Sequence, residues 1–98
     1  MAQPAARVGD MTTHGTPLGP GPGSATVLIE GRPAWRAHVD QHVCPLTNGT
    51  VPHIGGTVAT ASVTVLIDGH PAARQNDVVI EAGGPNPIVL GAGSVTIG

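Results

Sequence analysis

The amino-acid sequence predicts a small all-β protein, and three observations support this prediction. The apolar residues fall in short runs rich in Thr, Val and Ile, such as "ATVLIE" and "VTVLIDG", which favour strands over helices. The chain contains 15 Gly and 10 Pro, which divide it into short elements joined by tight turns. No segment shows helical periodicity for longer than a turn or two.

An internal repeat predicts the first two hairpins. Residues 24–36 read "SATVLIEGRPAWR" and residues 62–74 read "SVTVLIDGHPAAR", and the two align without a gap. In each copy an acidic residue and a Gly follow a Thr/Val strand, and the Pro of the copy comes two residues after that Gly. Asp-Gly is a preferred two-residue hairpin turn because both positions can adopt positive φ. We therefore expect the turns at Glu30-Gly31 and Asp68-Gly69.

The two ends of the chain predict a third hairpin. Residues 94–98, "SVTIG", would supply the Ser-x-Thr strand, and the opening "MAQPAARVGD" would supply the Pro-Ala-Ala-Arg strand. Residues 94–98 would then pair beside residues 2–7, which brings the termini together and arranges three hairpins about a pseudo-threefold axis. The alternative is an ordinary sandwich of similar strands.

The segments between the hairpins are rich in Gly and Pro. They have too few apolar residues to form elements of their own, so we expect loops that connect the three sides. The short stretch 57–61 could continue as a strand. The expected loops are residues 15–23, 45–56 and 82–87.

The composition limits what can stabilise and bind this chain. Ninety-eight residues with one aromatic, Trp35, bury a modest core, and a single Cys cannot form an internal disulfide. A metal ion or a partner surface is the expected further source of stability. The net charge of −2 offers no basic surface for nucleic acid or anionic membrane. No apolar run approaches the roughly 20 residues that span a bilayer, and the N-terminus lacks the apolar region of a signal peptide.

Two His and the only Cys lie in one stretch, "DQHVCPLTNGTVPH", at residues 40–53. In an extended segment, side chains two residues apart share a face, so His42 and Cys44 would form a chelating pair. His53 follows a turn-forming Asn-Gly, and His14 would join the group if the termini meet. Three imidazoles and a thiolate suit tetrahedral Zn²⁺, although the spacing H-x-C-x₈-H is a weak signature by itself.

The other two His are expected to be solvent-exposed. His38 lies between Arg36 and Asp40, where the segment "PAWRAHVD" has one residue more than the sister segments "PAARVGD" and "PAARQND". An extra residue of this kind suggests a β-bulge. His70 occupies the position that Arg32 fills in the other copy, and two unlike polar residues at one position indicate exposure.

The repeated tetrapeptide gives the chain a family resemblance. Pro4-Ala5-Ala6-Arg7 and Pro71-Ala72-Ala73-Arg74 are identical, and Pro33-Ala34-Trp35-Arg36 is a close variant. With the "SxTVLI-[DE]-G" strands and the "DxHxCP…PHxGG" segment, the sequence resembles the PAAR-repeat family over nearly its whole length. That combination is more specific than any one of the motifs.

The resemblance implies a fold, a partner and a metal. The fold would be a small pointed β-cone that sits on the trimeric valine–glycine repeat spike of a bacterial type VI secretion system. A structural zinc would lie near the apex, at positions that match His14, His42, Cys44 and His53. The third-repeat loop, "NDVVIEAGGPNP", lacks the Cys that many relatives carry, which leaves Cys44 as the only sulfur ligand.

These implications give a set of functional expectations. The chain is expected to be one PAAR-repeat domain over residues 1–98 with no effector extension, structural rather than enzymatic. One tip would bind one spike trimer through an apolar wide end, and effector proteins could attach non-covalently. The protein would be cytoplasmic before firing and exported by the machine without a signal peptide, touching the target membrane only as it pierces it.

Two other functions stay open on the sequence. A zinc with a vacant coordination position, or Cys44 with His42 or His53 as its base, could support hydrolysis. A free-standing adhesive β-domain would be monomeric and would not bind a trimeric spike. Iron or nickel could also occupy a His and thiolate site.

Overall fold

The computed structural model describes residues 2–48, 51–81 and 84–98, with side chains described outside 45–48 and 51–54. Every regular element in these residues is a β-strand and every strand pair is antiparallel, which confirms the predicted all-β class. Among the described residues no helix is long and apolar enough to cross a membrane. In chain order the strands are β1 (Gln3–Pro4), β2 (Pro20–Gly21), β3 (Leu28–Ile29), β4 (Arg32–Pro33), β5 (Gln41–Asn48), β6 (Val51–Gly56), β7 (Leu66–Ile67), β8 (His70–Pro71), β9 (Val78–Glu81), β10 (Gly84–Pro87) and β11 (Thr96–Ile97).

The two intact repeat copies each contain a short antiparallel pair. β3 pairs with β4 and β7 pairs with β8 in the same register. Both residues of each connecting turn have positive φ, 51° and 82° at Glu30-Gly31 and 54° and 81° at Asp68-Gly69. This is the type I′ geometry, whose twist matches that of the flanking strands. The acidic residue and the Gly after it therefore determine where each pair turns.

The first and last strands lie side by side. β1 pairs with β11, with Gln3 opposite Ile97 and Pro4 opposite Thr96. The amide of Ala5 also donates to the carbonyl oxygen of Val95 at 2.9 Å. The two ends of the chain therefore build one strand pair that is equivalent to the two continuous ones.

The terminal strand pair aligns with the other two pairs differently from the predicted alignment. Ala92 donates its amide to Ala5, and the residues that make the same contact in the other copies are Ser24 and Ser62. Ser94 therefore takes the position of a Thr in those copies, and its predicted alignment with their Ser is wrong by two residues. Burial decides the register, because it places one Ile of each pair in the core: Ile29, Ile67 and Ile97, each 6 to 7 % exposed.

A ring of three backbone hydrogen bonds joins the copies. The amide of Ala6 donates to the carbonyl oxygen of Ala73 at 3.0 Å, and the amide of Ala73 donates to that of Trp35 at 3.0 Å. The amide of Trp35 donates to the carbonyl oxygen of Ala6 at 2.9 Å and closes the ring. A second ring, at 2.8 to 2.9 Å, consists of Val8 to Pro33, Ala37 to Pro71 and Gln75 to Pro4. In each ring every copy donates to one neighbour and accepts from the other, which is a pseudo-threefold arrangement.

The core consists of two apolar clusters along this axis. The cluster on the side of the hairpins is built from Ala5, Ile29, Ala34, Ile67, Ala72, Ala92 and Ile97. The other cluster is built from Ala6, Leu18, Trp35, Ala37, Val58, Ala73, Val79 and Ile88. Trp35 is fully buried at a position where the other copies have Ala, so one large side chain and two small ones fill the centre. Gly21 has a φ of 89° and lies so close to this indole that an added Cβ would be 3.1 Å from Cζ3.

Each copy also contains a buried Arg–Asp ion pair. In all three, the amide and Nε of the Arg donate to one carboxylate oxygen and Nη2 donates to the other, at 2.7 to 3.1 Å. The carboxylates are 0 to 3 % exposed, and their hydrogen bonds are the main reason that the pKa of each Arg is raised. The pairs are Arg7–Asp10, Arg36–Asp40 and Arg74–Asp77.

The extra residue that follows Arg36 lies in a turn at 37–40. His38 has a φ of 70° and is exposed, and Gly9 and Asn76 at the equivalent positions also have positive φ, 92° and 79°. The predicted β-bulge is wrong because the insertion falls in this turn and not in a paired strand. The ion pair tolerates the insertion, since Arg36 reaches Asp40 four residues on with the same contacts.

Three arms extend from the rings on the side away from the hairpins. The first arm is residues 10–18, the second is the β5–β6 hairpin and the third is the β9–β10 hairpin. Neighbouring arms are joined in pairs, because β2 after the first arm pairs with β5, Val58 bridges Val79, and Thr12 bridges Ile88. The arms therefore surround the axis.

The loop prediction is wrong in each of its three segments. Residues 15–23, 45–56 and 82–87 are predicted to connect elements without forming any, yet the first contains β2 and the described parts of the other two belong to β5, β6 and β10. The prediction relied on apolar content. In the structure, backbone groups of these residues form hydrogen bonds with the neighbouring strand. Gly and Pro are tolerated at strand edges and bulges, where a missing backbone donor costs little.

Each hairpin turn is held by hydroxyl groups from another copy. Ser24 and Thr26 donate to the carboxylate of Asp68, and Ser94 donates its amide and hydroxyl to Glu30. These hydrogen bonds are the main reason that the pKa of each of the two carboxylates is lowered. In the third copy the backbone oxygen of Gly98 accepts from Ser62.

Removing a buried carboxylate should cost much more than removing an exposed one on the same Arg. Asp40→Ala leaves the guanidinium of Arg36 without its main partner, and we expect the free energy of unfolding to fall by about 3 to 5 kcal/mol. Asp68→Ala is the matched control, because Asp68 contacts Arg36 at 3.3 Å with its side chain 27 % exposed. Urea unfolding should show a smaller loss for the control, and equal losses would contradict this assignment.

The stabilisation of Asp68 by Ser24 should disappear in acid. The folded pKa of Asp68 is lowered from its ordinary value of 3.8, so its contribution is complete above that value and is lost as the pH falls through the folded pKa. Ser24→Ala should therefore destabilise the protein more at pH 7 than at pH 2, measured by urea unfolding across that range. A pH-independent difference would show that Ser24 acts only through its contacts with the backbone.

Candidate metal centre

The arms bring together side chains from three distant parts of the sequence. His14 lies in the turn of the first arm, Cys44 in β5 and Glu81 at the end of β9. β5 alternates as a strand should, with His42 and Cys44 buried and Gln41 and Val43 exposed. The predicted shared face of His42 and Cys44 is therefore present. Glu81 is buried by the same alternation, since it follows Val79 by two residues on β9.

The distances within this group suit a metal ion. Nδ1 of His14 lies 3.1 Å from Oε1 of Glu81 and 3.8 Å from Sγ of Cys44. One ligand atom from each of the three residues lies within 4.8 Å of the other two. In a tetrahedral zinc site with Zn–N near ~2.0 Å and Zn–S near ~2.3 Å, ligand atoms are about 3.3 to 3.7 Å apart. An imidazole, a thiolate and a carboxylate at these separations fit a divalent transition metal.

Two further residues expected in the site have different outcomes. His42 is 2 % exposed and lies next to the group, with Nε2 3.6 Å from Oε2 of Glu81 and 3.0 Å from Oγ1 of Thr16. His53 belongs to β6, but its side chain lies outside the described residues, so its predicted role as a ligand stays a prediction.

Burial controls the protonation of His42. Removal from water lowers the pKa of this imidazole, the charge of Glu81 opposes the shift, and the charge of His14 adds to it. The carbonyl oxygen of Pro17 also favours the protonated ring, although Nδ1 has no hydrogen-bond partner of normal geometry among the described residues. The lowered pKa leaves the ring neutral at neutral pH, which is the form that binds metal ions.

The family is visible in the comparison with known proteins. A family model described as "PAAR motif" matches residues 48–98, just over half of the chain. The chain belongs to the PAAR-motif family. The matched part includes the second intact copy and the C-terminal strand, so the family assignment agrees with the repeat found in the sequence. A search of curated proteins finds no match at a significant level.

Glu81 is the residue of this PAAR protein that sequence reasoning missed. The carboxylate nearest to the predicted ligands in sequence is Asp40, and it pairs with Arg36. One signal was available. Glu81 ends an otherwise apolar strand, "DVVIE", on the same face as Val79, and a single acidic residue on a buried strand face indicates a paired or metal-bound carboxylate.

Loss of the thiolate should matter only when metal is present. Cys44→Ala removes one ligand, so in zinc-containing buffer we expect the free energy of unfolding to fall by several kcal/mol. In excess chelator the variant and the natural protein should be almost equally stable, apart from the small packing change. Elemental analysis should find zinc in the freshly purified natural protein, and less than about half an equivalent would contradict a structural zinc.

Proposed function

We propose that this protein is a structural tip for a bacterial type VI secretion spike. It would cap the blunt end of a trimeric valine–glycine repeat spike and sharpen it, with a structural metal at its own far end. Membership of the PAAR-motif family supports this role, and so does the agreement between the pseudo-threefold symmetry of the fold and the threefold symmetry of such a spike. The closed ring of backbone hydrogen bonds is the observation that carries the proposal.

The hairpin end has the surface that such a partner would cover. Leu28 and Leu66, at equivalent positions of two copies, are 64 % and 63 % exposed. The third copy has Thr96 at the position of these Leu residues. Apolar groups repeated around one end are costly in water and favour a partner that repeats in the same way.

The proposed metal is zinc, held by His14, Cys44 and Glu81, with His42 and His53 as the further candidates from the sequence. His14, Cys44 and Glu81 come one from each of the three arms. A bound ion would cross-link the three arms through its coordination bonds, and its binding free energy would add to the stability of the fold. A His and thiolate set does not exclude iron or nickel.

A structural role is favoured over catalysis because the candidate ligands are buried. Cys44 is 2 % and Glu81 6 % exposed, and His14 has a side-chain exposure of 18 %. The three candidate ligands are therefore poorly accessible to a substrate. A cleft of about 320 Å³ lies elsewhere, lined by His38, Pro71 and residues 59–63, and it offers one imidazole without a carboxylate.

The place of action follows from the same proposal. The protein would stay in the cytoplasm until the machine fires and would then leave with the spike, which requires no signal peptide. Effector proteins would attach to it non-covalently.

The stoichiometry of the complex tests the proposal. We expect candidate spike trimers to bind one copy of this protein per three spike chains, measured by native mass spectrometry. A complex of three copies with three spike chains, or no binding to any valine–glycine repeat trimer, would contradict the proposed role. The double variant Leu28→Asp and Leu66→Asp should lose binding. Val39→Asp, a charge placed on an exposed Val in the turn at 37–40, is the control and should bind normally.

A further inference from the structure

Asn86 is the most completely bonded polar side chain beside the candidate metal centre. It lies on β10, is 0 % exposed, and uses both its amide donors and its carbonyl acceptor. Nδ2 donates to Oε2 of Glu81 at 2.8 Å and to Oγ1 of Thr12 at 2.9 Å. Oδ1 accepts the backbone amide of His14 at 2.9 Å. One buried side chain therefore joins the third arm to the first.

The contacts of Asn86 leave the two carboxylate oxygens of Glu81 with different partners. Oε2 accepts the amide of Asn86 and lies 3.6 Å from Nε2 of His42, whereas Oε1 lies 3.1 Å from Nδ1 of His14 and so faces that candidate ligand. A carboxylate that accepts a hydrogen bond on one oxygen presents its other oxygen in a defined orientation. The hydrogen bond to the backbone of His14 limits where that imidazole can lie.

The hydrogen bonds continue from Asn86 to the second arm. Thr12 donates its hydroxyl to the carbonyl oxygen of Thr16 at 2.7 Å, and the two hydroxyl groups are 3.0 Å apart. Oγ1 of Thr16 is in turn 3.0 Å from Nε2 of His42. Thr12, Thr16 and His42 are all buried, so water does not compete for these bonds. The chain that begins at Glu81 therefore reaches all three arms.

We propose that Asn86 is the positioning residue of the metal centre. Its amide fixes Glu81 so that Oε1 alone binds the ion, and its carbonyl oxygen fixes the backbone that presents His14. This inference rests on the metal centre proposed above and adds to it a residue that does not touch the ion. Asn86 acts before metal arrives, by holding two ligands from different arms at the separation the ion needs.

The test compares Asn86→Ala with a control in the same network. Thr12→Val removes a hydroxyl that is as deeply buried but leaves the contact between Asn86 and Glu81. Zinc affinity is measured by competition with a chromophoric chelator, and the stability of each metal-free protein by urea unfolding. We expect Asn86→Ala to bind zinc about 10 to 100-fold more weakly than the natural protein, and Thr12→Val to change the affinity less than about tenfold.

A spectroscopic measurement separates positioning from general stability. Bound Co²⁺ reports its coordination through its visible absorption, so Asn86→Ala should alter the bands of the cobalt-loaded protein and Thr12→Val should not. If Asn86→Ala does not fold, Asn86→Leu serves as a variant of similar volume. Its side chain has no donor for Oε2 of Glu81, and the cobalt bands should again change.

The outcomes distinguish the two proposals. A natural protein that binds neither zinc nor cobalt overturns both the metal centre and the role of Asn86. Metal binding that is equally tight, with unchanged cobalt bands, in the natural protein and the Asn86 variants overturns only the role of Asn86. Weaker binding in Asn86→Ala and Thr12→Val alike would also overturn it, because the effect would then follow loss of any buried polar group.

Discussion

The structure depends on three backbone hydrogen bonds that close on themselves, from Ala6 to Ala73, from Ala73 to Trp35 and from Trp35 to Ala6. Such a ring requires three chain segments to meet at one axis, which small side chains permit. Two of the three central residues are Ala, and the single Trp fills the space that they leave. The ring then sets the direction of everything attached to it. The hairpins leave on one side and the arms on the other.

The two ends of the molecule are stabilised by different physics. At the hairpin end, an Ile from each pair packs in a shared apolar cluster, and carboxylates at the turns accept hydrogen bonds from hydroxyl groups of a neighbouring copy. The described parts of the arms are joined by backbone bridges and by the buried hydrogen bonds around Asn86. A metal ion suits this end because it needs only a few correctly placed donors where an apolar core would need volume.

Much of the site could be found from the sequence, for reasons that differ by residue. His42 and Cys44 were predicted together because they are two apart on one strand, and strand alternation requires no tertiary information. His14 was predicted because the repeat brings the start of the chain back to the axis. Neither strand spacing nor the repeat places Glu81 or Asn86 beside these residues. They are separated from Cys44 by more than thirty residues, and their proximity depends on how the third arm folds against the other two.

The sequence by itself determined the strands of the repeat hairpins, the acidic-Gly turns and the joining of the two ends, because these follow from local φ preferences and from the repeat. Only the tertiary structure decided the register of the terminal pair, the strand content of the Gly and Pro-rich arms and the carboxylate beside His14. Each of these depends on contacts between copies. Core burial placed Ile97 and so set the register, and neighbouring backbones supplied the partners that the arms could not supply from their own side chains.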